Sequence, residues 1–236
     1  MQTNILDWLE ATAAHTPEGA AVGDAQQDYT WAQLAENARR AGSFLAGHTA
    51  PRCPVAFYLE KSAPVFAAML GTVYAGCCYS VLDTRQPAAR TQQVLNTLQP
   101  CLLITDRDHA DAAAALGCSC SVYLLEDLLT AAEQPSLLAA RRAQAVDVDP
   151  LYINFTSGST GVPKGVTVSH RSVLDFIPQF AAIFGIKAQD ILGNQAPFDF
   201  DVSVKDLYTA LYTGAKVQII PRAYFSQPTK LMDYLA

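Results

Sequence analysis

The chain has 236 residues, of which 16 are Lys or Arg and 22 are Asp or Glu, giving a formal charge of −6. That is the wrong sign for a protein that grips nucleic acid through its phosphates, and with 50% hydrophobic and 16% charged residues the composition is far from that of a disordered chain. The length allows one large domain or two small ones, and no period of roughly 20–50 residues repeats, which excludes solenoids and propellers.

The opening MQTNILDWLEATAAHTPEG carries acids early and has no basic start followed by an apolar core, so no secretory leader is read and a cytosolic location is expected. In WAQLAENARRAGSFLAG, Trp31, Leu34, Ala38, Ala41 and Leu45 fall near helical spacing and predict an amphipathic helix. The apolar runs Pro54–Leu59, Cys101–Thr105 and Ser121–Leu125 read as short strands, separated by Ala-rich or charged helical stretches. Strands alternating with helices predict an α/β fold, mostly parallel sheets covered by helices on both faces. Ser62–Leu82 carries no formal charge and is long enough to cross a bilayer, but Pro64, Gly71, Gly76 and Ser80 dilute it. A buried helix followed by a short strand is expected there, with no membrane span. Six cysteines, at 53, 77, 78, 101, 118 and 120, contain no C-x-x-C pair, so buried reduced thiols are expected and no metal site is assigned.

From residue 151, LYINFT reads as a buried strand, TSGSTGVPKG as a loop, and GVTVSH as extended again. Ser172 to Asp175 fit an S-x-x-D helix start, and Val173, Phe176, Ile177, Phe180 and Phe184 predict one core-facing stripe. ILGNQAP, VSVKDLYTALYTG and AKVQIIP then read as strand, helix and strand, and the last residues begin another helix. The four histidines are isolated, and His170 is read as a turn or packing residue.

The loop 156–165 holds four hydroxyls (Thr156, Ser157, Ser159, Thr160), three glycines (Gly158, Gly161, Gly165) and Lys164. Glycines let backbone N–H groups converge, hydroxyls donate at short range, and Lys164 adds a mobile charge, a combination suited to a polyphosphate. The Walker A spacing fails: counted from Gly158, the second glycine falls on Pro163, and the β-branched stretch GVTVSH stands where a helix would be needed. Phosphate binding therefore has to come from the loop itself. Further on, a carboxylate at Asp201, flanked by Phe198, Phe200 and Val202, is expected in an apolar pocket, where an ammonium would be its natural partner. Helix capping by Asp201 is the plainer alternative, and Asp199 is a second acidic candidate.

TSGSTGVPKG between two strands resembles the signature loop of the adenylate-forming superfamily, and Phe200-Asp201-Val202-Ser203 resembles the F-D-x-S motif of its amino-acid-activating members. The string NQAPFDFDVSVKDLY is most similar to D-alanine:D-alanyl-carrier-protein ligases, with peptide-synthetase adenylation domains next. The resemblance implies the N-terminal large domain of such a ligase over 1–236, with about 51–185 forming a first lobe that carries the phosphate loop. Residues 1–50 with 186–236 would form part of a second lobe. It implies ATP and Mg²⁺ as cofactors, an amino acid (D-alanine) as substrate and a phosphopantetheinyl carrier protein as acceptor. Thr156, Ser157, Gly158, Ser159, Thr160, Gly161 and Lys164 would hold the phosphates, and Asp201, Phe200 and Val202 the amino acid. It also implies that the magnesium ligand, the ribose-binding aspartate and the C-terminal lobe with its catalytic lysine lie beyond Ala236, so residues 1–236 alone are expected to be inactive. Competing readings are a fragment of an acyl- or aryl-acid:CoA ligase, and a non-catalytic nucleotide-binding or docking module.

Overall fold

The computed structural model describes residues 2–156 and 162–235. The chain opens with α1 (Leu6–His15), the strands β1 (Ala20–Gly23) and β2 (Asp28–Thr30), and the long α2 (Trp31–His48). Next come β3 (Pro54–Tyr58), α3 (Ala63–Tyr74), β4 (Cys78–Leu82), α4 (Ala88–Leu98), β5 (Leu102–Thr105) and α5 (Ala110–Ala115). After β6 (Ser121–Leu124), α6 (Leu125–Leu129) and α7 (Pro135–Ala143), the hairpin β7 (Pro150–Thr156) and β8 (Lys164–Ser169) leads into α8 (His170–Phe184). The chain then runs through β9 (Ile191–Asn194), α9 (Val202–Thr213), β10 (Lys216–Ile219), a 3-10 turn (Arg222–Ser226) and α10 (Pro228–Leu235).

Among the described residues the strands form a six-stranded sheet, ordered β6-β5-β3-β4-β7-β8, and a four-stranded sheet, ordered β2-β1-β10-β9. Neighbours are parallel except in the pairs β1–β2 and β7–β8. The fold is thus the α/β class expected. Alternation along β3 explains why its sequence reads as one apolar run: Val55 and Phe57 enter the larger core, while Ala56 and Tyr58 enter a second core with Val94, Leu95 and Leu98 of α4. Both faces of the strand are covered, so neither can be polar.

The larger core continues from Phe57 and Ile104 of the six-stranded sheet to Val22, Val217 and Ile219 of the four-stranded one. Tyr79 of β4 and Tyr208 of α9 join hydroxyls at 2.7 Å inside it. Helices α2 and α3 cross at glycines: a Cβ on Gly42 would lie 2.5 Å from the Tyr74 Cβ, and one on Gly71 2.6 Å from the Ala41 Cβ. The uncharged run 62–82 resolves into α3 and β4, both buried. Among the described residues no helix is long and apolar enough to cross a membrane. The cysteines are free thiols, with Cys77 and Cys78 buried as expected.

Two sequence expectations need correction at α8. Its N-cap is Ser169, whose hydroxyl accepts from the Ser172 N–H at 3.4 Å, so the helix starts a turn before the S-x-x-D signal. Ser169 ends a strand with extended backbone, whereas Ser172 is already helical. The residues turned to the core are Val173, Ile177 and Ala181, while Phe176 and Phe184 are 47% and 66% exposed. The phenylalanines stack on one another instead, with ring centroids 5.6 and 4.6 Å apart along the helix.

Candidate functional site

Thr156 and Lys164 are paired across the β7–β8 ladder, so the Gly/Ser-rich loop springs from a two-stranded stem and both residues are exposed at its root. Ser157, Gly158, Ser159, Thr160 and Gly161 lie outside the described residues. Lys164 is the first residue of a strand, as the sequence required, and no helix N-terminus faces the loop from that side. Arg90 of α4 donates from Nη2 to the Thr156 carbonyl at 3.2 Å, fixing the stem from the flanking helix. The sequence reading did not single out Arg90.

The second acidic segment joins β9 to α9. Phe198 is 3% exposed, but the turn that buries it leaves Phe200 and Val202 56% and 40% exposed. Asp201 is exposed as well, so the expected apolar pocket around its carboxylate is not formed by its neighbours. The local cause is the turn itself: Phe200 N–H donates to the Pro197 carbonyl and Ser203 N–H to that of Phe200, which rotates residues 200–202 outward. Asp201 occupies the N-cap position of α9 with helical dihedrals and makes no side-chain cap bond. Phe200 and Val202 instead line a cavity of about 460 Å³ with Lys205, Asp206, Arg222 and Phe225. Asp201 faces Tyr152 of β7, whose hydroxyl is pushed up to about 12, first by burial and then by that carboxylate.

The two segments meet. Phe155, next to the stem residue Thr156, and Asp199, two residues before Asp201, line one hollow together with Asp83 and Arg90. It opens beyond the carboxyl ends of β4 and β7, the edge of a parallel sheet where α/β proteins place ligands. Burial, then the charge of Asp83, raises the Asp199 carboxyl above its ordinary range. Asp83 in turn accepts from Arg85 Nε and Nη2 at 3.1 and 3.0 Å and has Arg222 Nη1 at 3.6 Å. Among the described residues no three His, Cys, Asp or Glu side chains converge as metal ligands.

Lys61, in the turn between β3 and α3, reaches across to this segment. Its Nζ lies within hydrogen-bond distance of the carbonyls of Asn194, Gln195 and Ala196 at 2.9, 2.9 and 3.2 Å and of Asn194 Oδ1 at 3.1 Å. Asn194 Nδ2 passes the link on, donating to Asp206 Oδ2 of α9 at 3.1 Å. Burial lowers the Lys61 pKa to about 8 against the upward pull of Asp206 and Glu60, and burial also raises that of Asp206. Desolvation therefore outweighs attraction at both ends. In the sequence Lys61 only bounded the uncharged run. Its position after a parallel strand and before the cap residue Ser62 was the available signal.

The family model described as AMP-binding enzyme matches residues 9–236. The chain belongs to the AMP-binding enzyme family. Within curated relatives, D-alanine--D-alanyl carrier protein ligase from Staphylococcus aureus (strain MRSA252) is 29% identical over 233 residues, 99% of this chain and 46% of its own length. The chain thus spans about half the length of the curated relatives it matches. Among solved structures, the nonribosomal peptide synthetase FmoA3 in its alpha-methyl-L-serine-AMP-bound form is 27% identical, with a TM-score of 0.82 over 92% of this chain and 24% of that one. A fatty acyl-adenylate ligase from L. pneumophila, in complex with acyl adenylate and pyrophosphate, shares the fold at a TM-score of 0.83 and 21% identity, over 98% of this chain and 42% of that one. The fold is that of adenylate-forming ligases in this region, and it is common to members that act on quite different acids.

Proposed function

We propose that these residues form the nucleotide- and amino-acid-facing part of a cytosolic ligase that activates D-alanine with ATP and hands it to a carrier protein. The observation that carries this is the shared hollow in which Phe155, at the root of the hydroxyl- and glycine-rich loop, meets Asp199 of the acidic segment. In the first half-reaction the substrate carboxylate oxygen attacks the α-phosphorus of ATP, the bond to the β-phosphate bridging oxygen breaks, and pyrophosphate leaves. In the second, a phosphopantetheine thiolate attacks the acyl carbon and AMP leaves. The loop 156–164 would hold the departing pyrophosphate, with Lys164 offsetting its charge at the exposed stem. Arg90 would keep that stem in place. Asp201, next to the cavity lined by Phe200 and Val202, would meet the α-ammonium. An exposed stem with a lysine and no protein cage fits a Mg²⁺ that arrives on the triphosphate, where it supplies charge neutralisation. We assign the first lobe to about 51–185 and the second to 1–50 with 186–236.

The exposure of Asp201 favours one further reading, an acyl- or aryl-acid ligase, because an acid without an amino group needs no carboxylate opposite it. Pyrophosphate exchange into ATP separates the two. We infer that residues 1–236 by themselves exchange at background rates and that the activity belongs to the full-length polypeptide containing them. That polypeptide is expected to exchange with D-alanine and poorly with L-alanine. Exchange driven by a fatty or aryl acid and by no amino acid would overturn the assignment.

A further inference from the structure

We propose that Lys61 is a positioning residue for the acid-binding segment: its ammonium gathers three consecutive carbonyls and so sets the turn that carries Asp199, Phe200, Asp201 and Val202. An ammonium has three hydrogens, and here four acceptors surround it. All four come from residues 194–196, the point where β9 ends and the turn begins. Three successive carbonyls converging on one side would repel one another, and the cation removes that repulsion. The backbone there follows the charge.

The contact also crosses between sheets. Lys61 follows β3 of the six-stranded sheet, while Asn194 ends β9 of the four-stranded one. Asn194 is fully buried and held from three sides: by Lys61 at its side-chain oxygen, by Asp206 at its amide nitrogen, and by the Ile220 N–H at its carbonyl. The turn downstream has only local bonds, such as Phe200 N–H to the Pro197 carbonyl at 3.2 Å and Val204 N–H to that of Asp201 at 3.1 Å. Its register relative to β7 is therefore inherited from the Lys61 end. Lys61 touches neither the phosphate stem nor the cavity lined by Phe200 and Val202, so its effect on ligand passes through the turn.

The assignment of a ligand to this turn rests on the function proposed above, whereas the clamp itself does not. Amide hydrogen exchange on residues 1–236 tests the clamp alone. In Lys61→Met, amides of residues 198–204 are expected to exchange about tenfold faster or more, as loss of hydrogen bonds to a charged group implies, with those of β3 and β5 unchanged. Lys61→Gln keeps a donor and guards against a variant that fails to fold; it should show a smaller change in the same amides, and Lys61→Arg should restore protection. Equal protection in all variants, or uniform loss across both sheets, would overturn the proposal. In the full-length polypeptide, Lys61→Met should raise KM for the amino acid by about ten- to a hundredfold, with KM for ATP and kcat within about threefold. Equal effects on both substrates would overturn the positioning role. If the unaltered polypeptide activates no amino acid, the functional assignment falls while the exchange result still decides the clamp.

Discussion

His170 begins α8 yet its ring is buried, with Nδ1 accepting from the Ile5 N–H at 3.3 Å. Burial, then the charge of Arg142, lowers its pKa to about 4, against the opposing pull of Asp149, Asp7 and Asp147. Above an unfolded-state value near 6.5 the ring is neutral in both states and the stabilisation is complete. As pH falls from about 6.5 to 4 the unfolded chain takes up a proton that the native ring refuses, so stability drops by roughly 2–3 kcal/mol and then levels off. Urea midpoints at pH 7.5 and 4.5 should therefore converge in His170→Gln relative to the unaltered chain. Asp201 makes a different prediction. A buried carboxylate stripped of its partner would cost about 3–5 kcal/mol, but an exposed ion pair is worth only about 0.2–1 kcal/mol. Asp201→Ala in the full-length polypeptide should thus weaken D-alanine binding by about fivefold or less, leaving any fatty-acid binding untouched. A loss of several decades by calorimetry would mean that the carboxylate is enclosed when the substrate is bound.

Helix α8 shows what a single sequence can and cannot reveal about an element. Its apolar residues fall on two adjacent stripes, Val173-Ile177-Ala181 and Phe176-Phe180-Phe184, and hydrophobicity alone favours the aromatic one. The sheet takes the slimmer stripe, which packs closely, and leaves the rings to each other. Ile177→Ala is accordingly expected to cost about 2–4 kcal/mol in denaturant unfolding, and Phe176→Ser less than about 1 kcal/mol. Strands β3, β5 and β7 were legible because burial on both faces forces a continuous apolar run. The pair β1–β2 was not, since four and three residues carry no period to read. The reciprocal cap of α2, in which Thr30 and Gln33 each accept from the other's N–H, also passed unread. Thr30→Ala should cost about 1 kcal/mol. In the candidate site the loop 156–165 and the acidic segment were legible because residue type alone carries their chemistry. Lys61 and Arg90 were not, because their partners lie 133 to 135 and 66 positions away and only the topology brings them together.

At the scale of the molecule, one core spans both sheets, and the Tyr79–Tyr208 hydroxyl pair is the polar contact inside it. Burial, then the neighbouring Tyr79, keeps the Tyr208 phenol protonated far above its ordinary range. Tyr208→Phe should cost roughly 1–3 kcal/mol by stranding the Tyr79 hydroxyl, and the double change to Phe should recover part of that. Unfolding should remain one transition in every variant, followed by far- and near-ultraviolet dichroism; separated transitions would show that the sheets melt independently.

The bare crossing of α2 over α3 reaches further than its size suggests. Helix α2 packs on β1 and β2, while α3 ties β3 to β4, so the spacing of those two backbones sets how far one sheet stands from the other. Gly42 and Gly71 act as a shim of zero thickness. An inactivating substitution need lie nowhere near the cleft: alanine at Gly71 is expected to wedge the layers apart and leave every ligand-facing side chain intact but out of alignment.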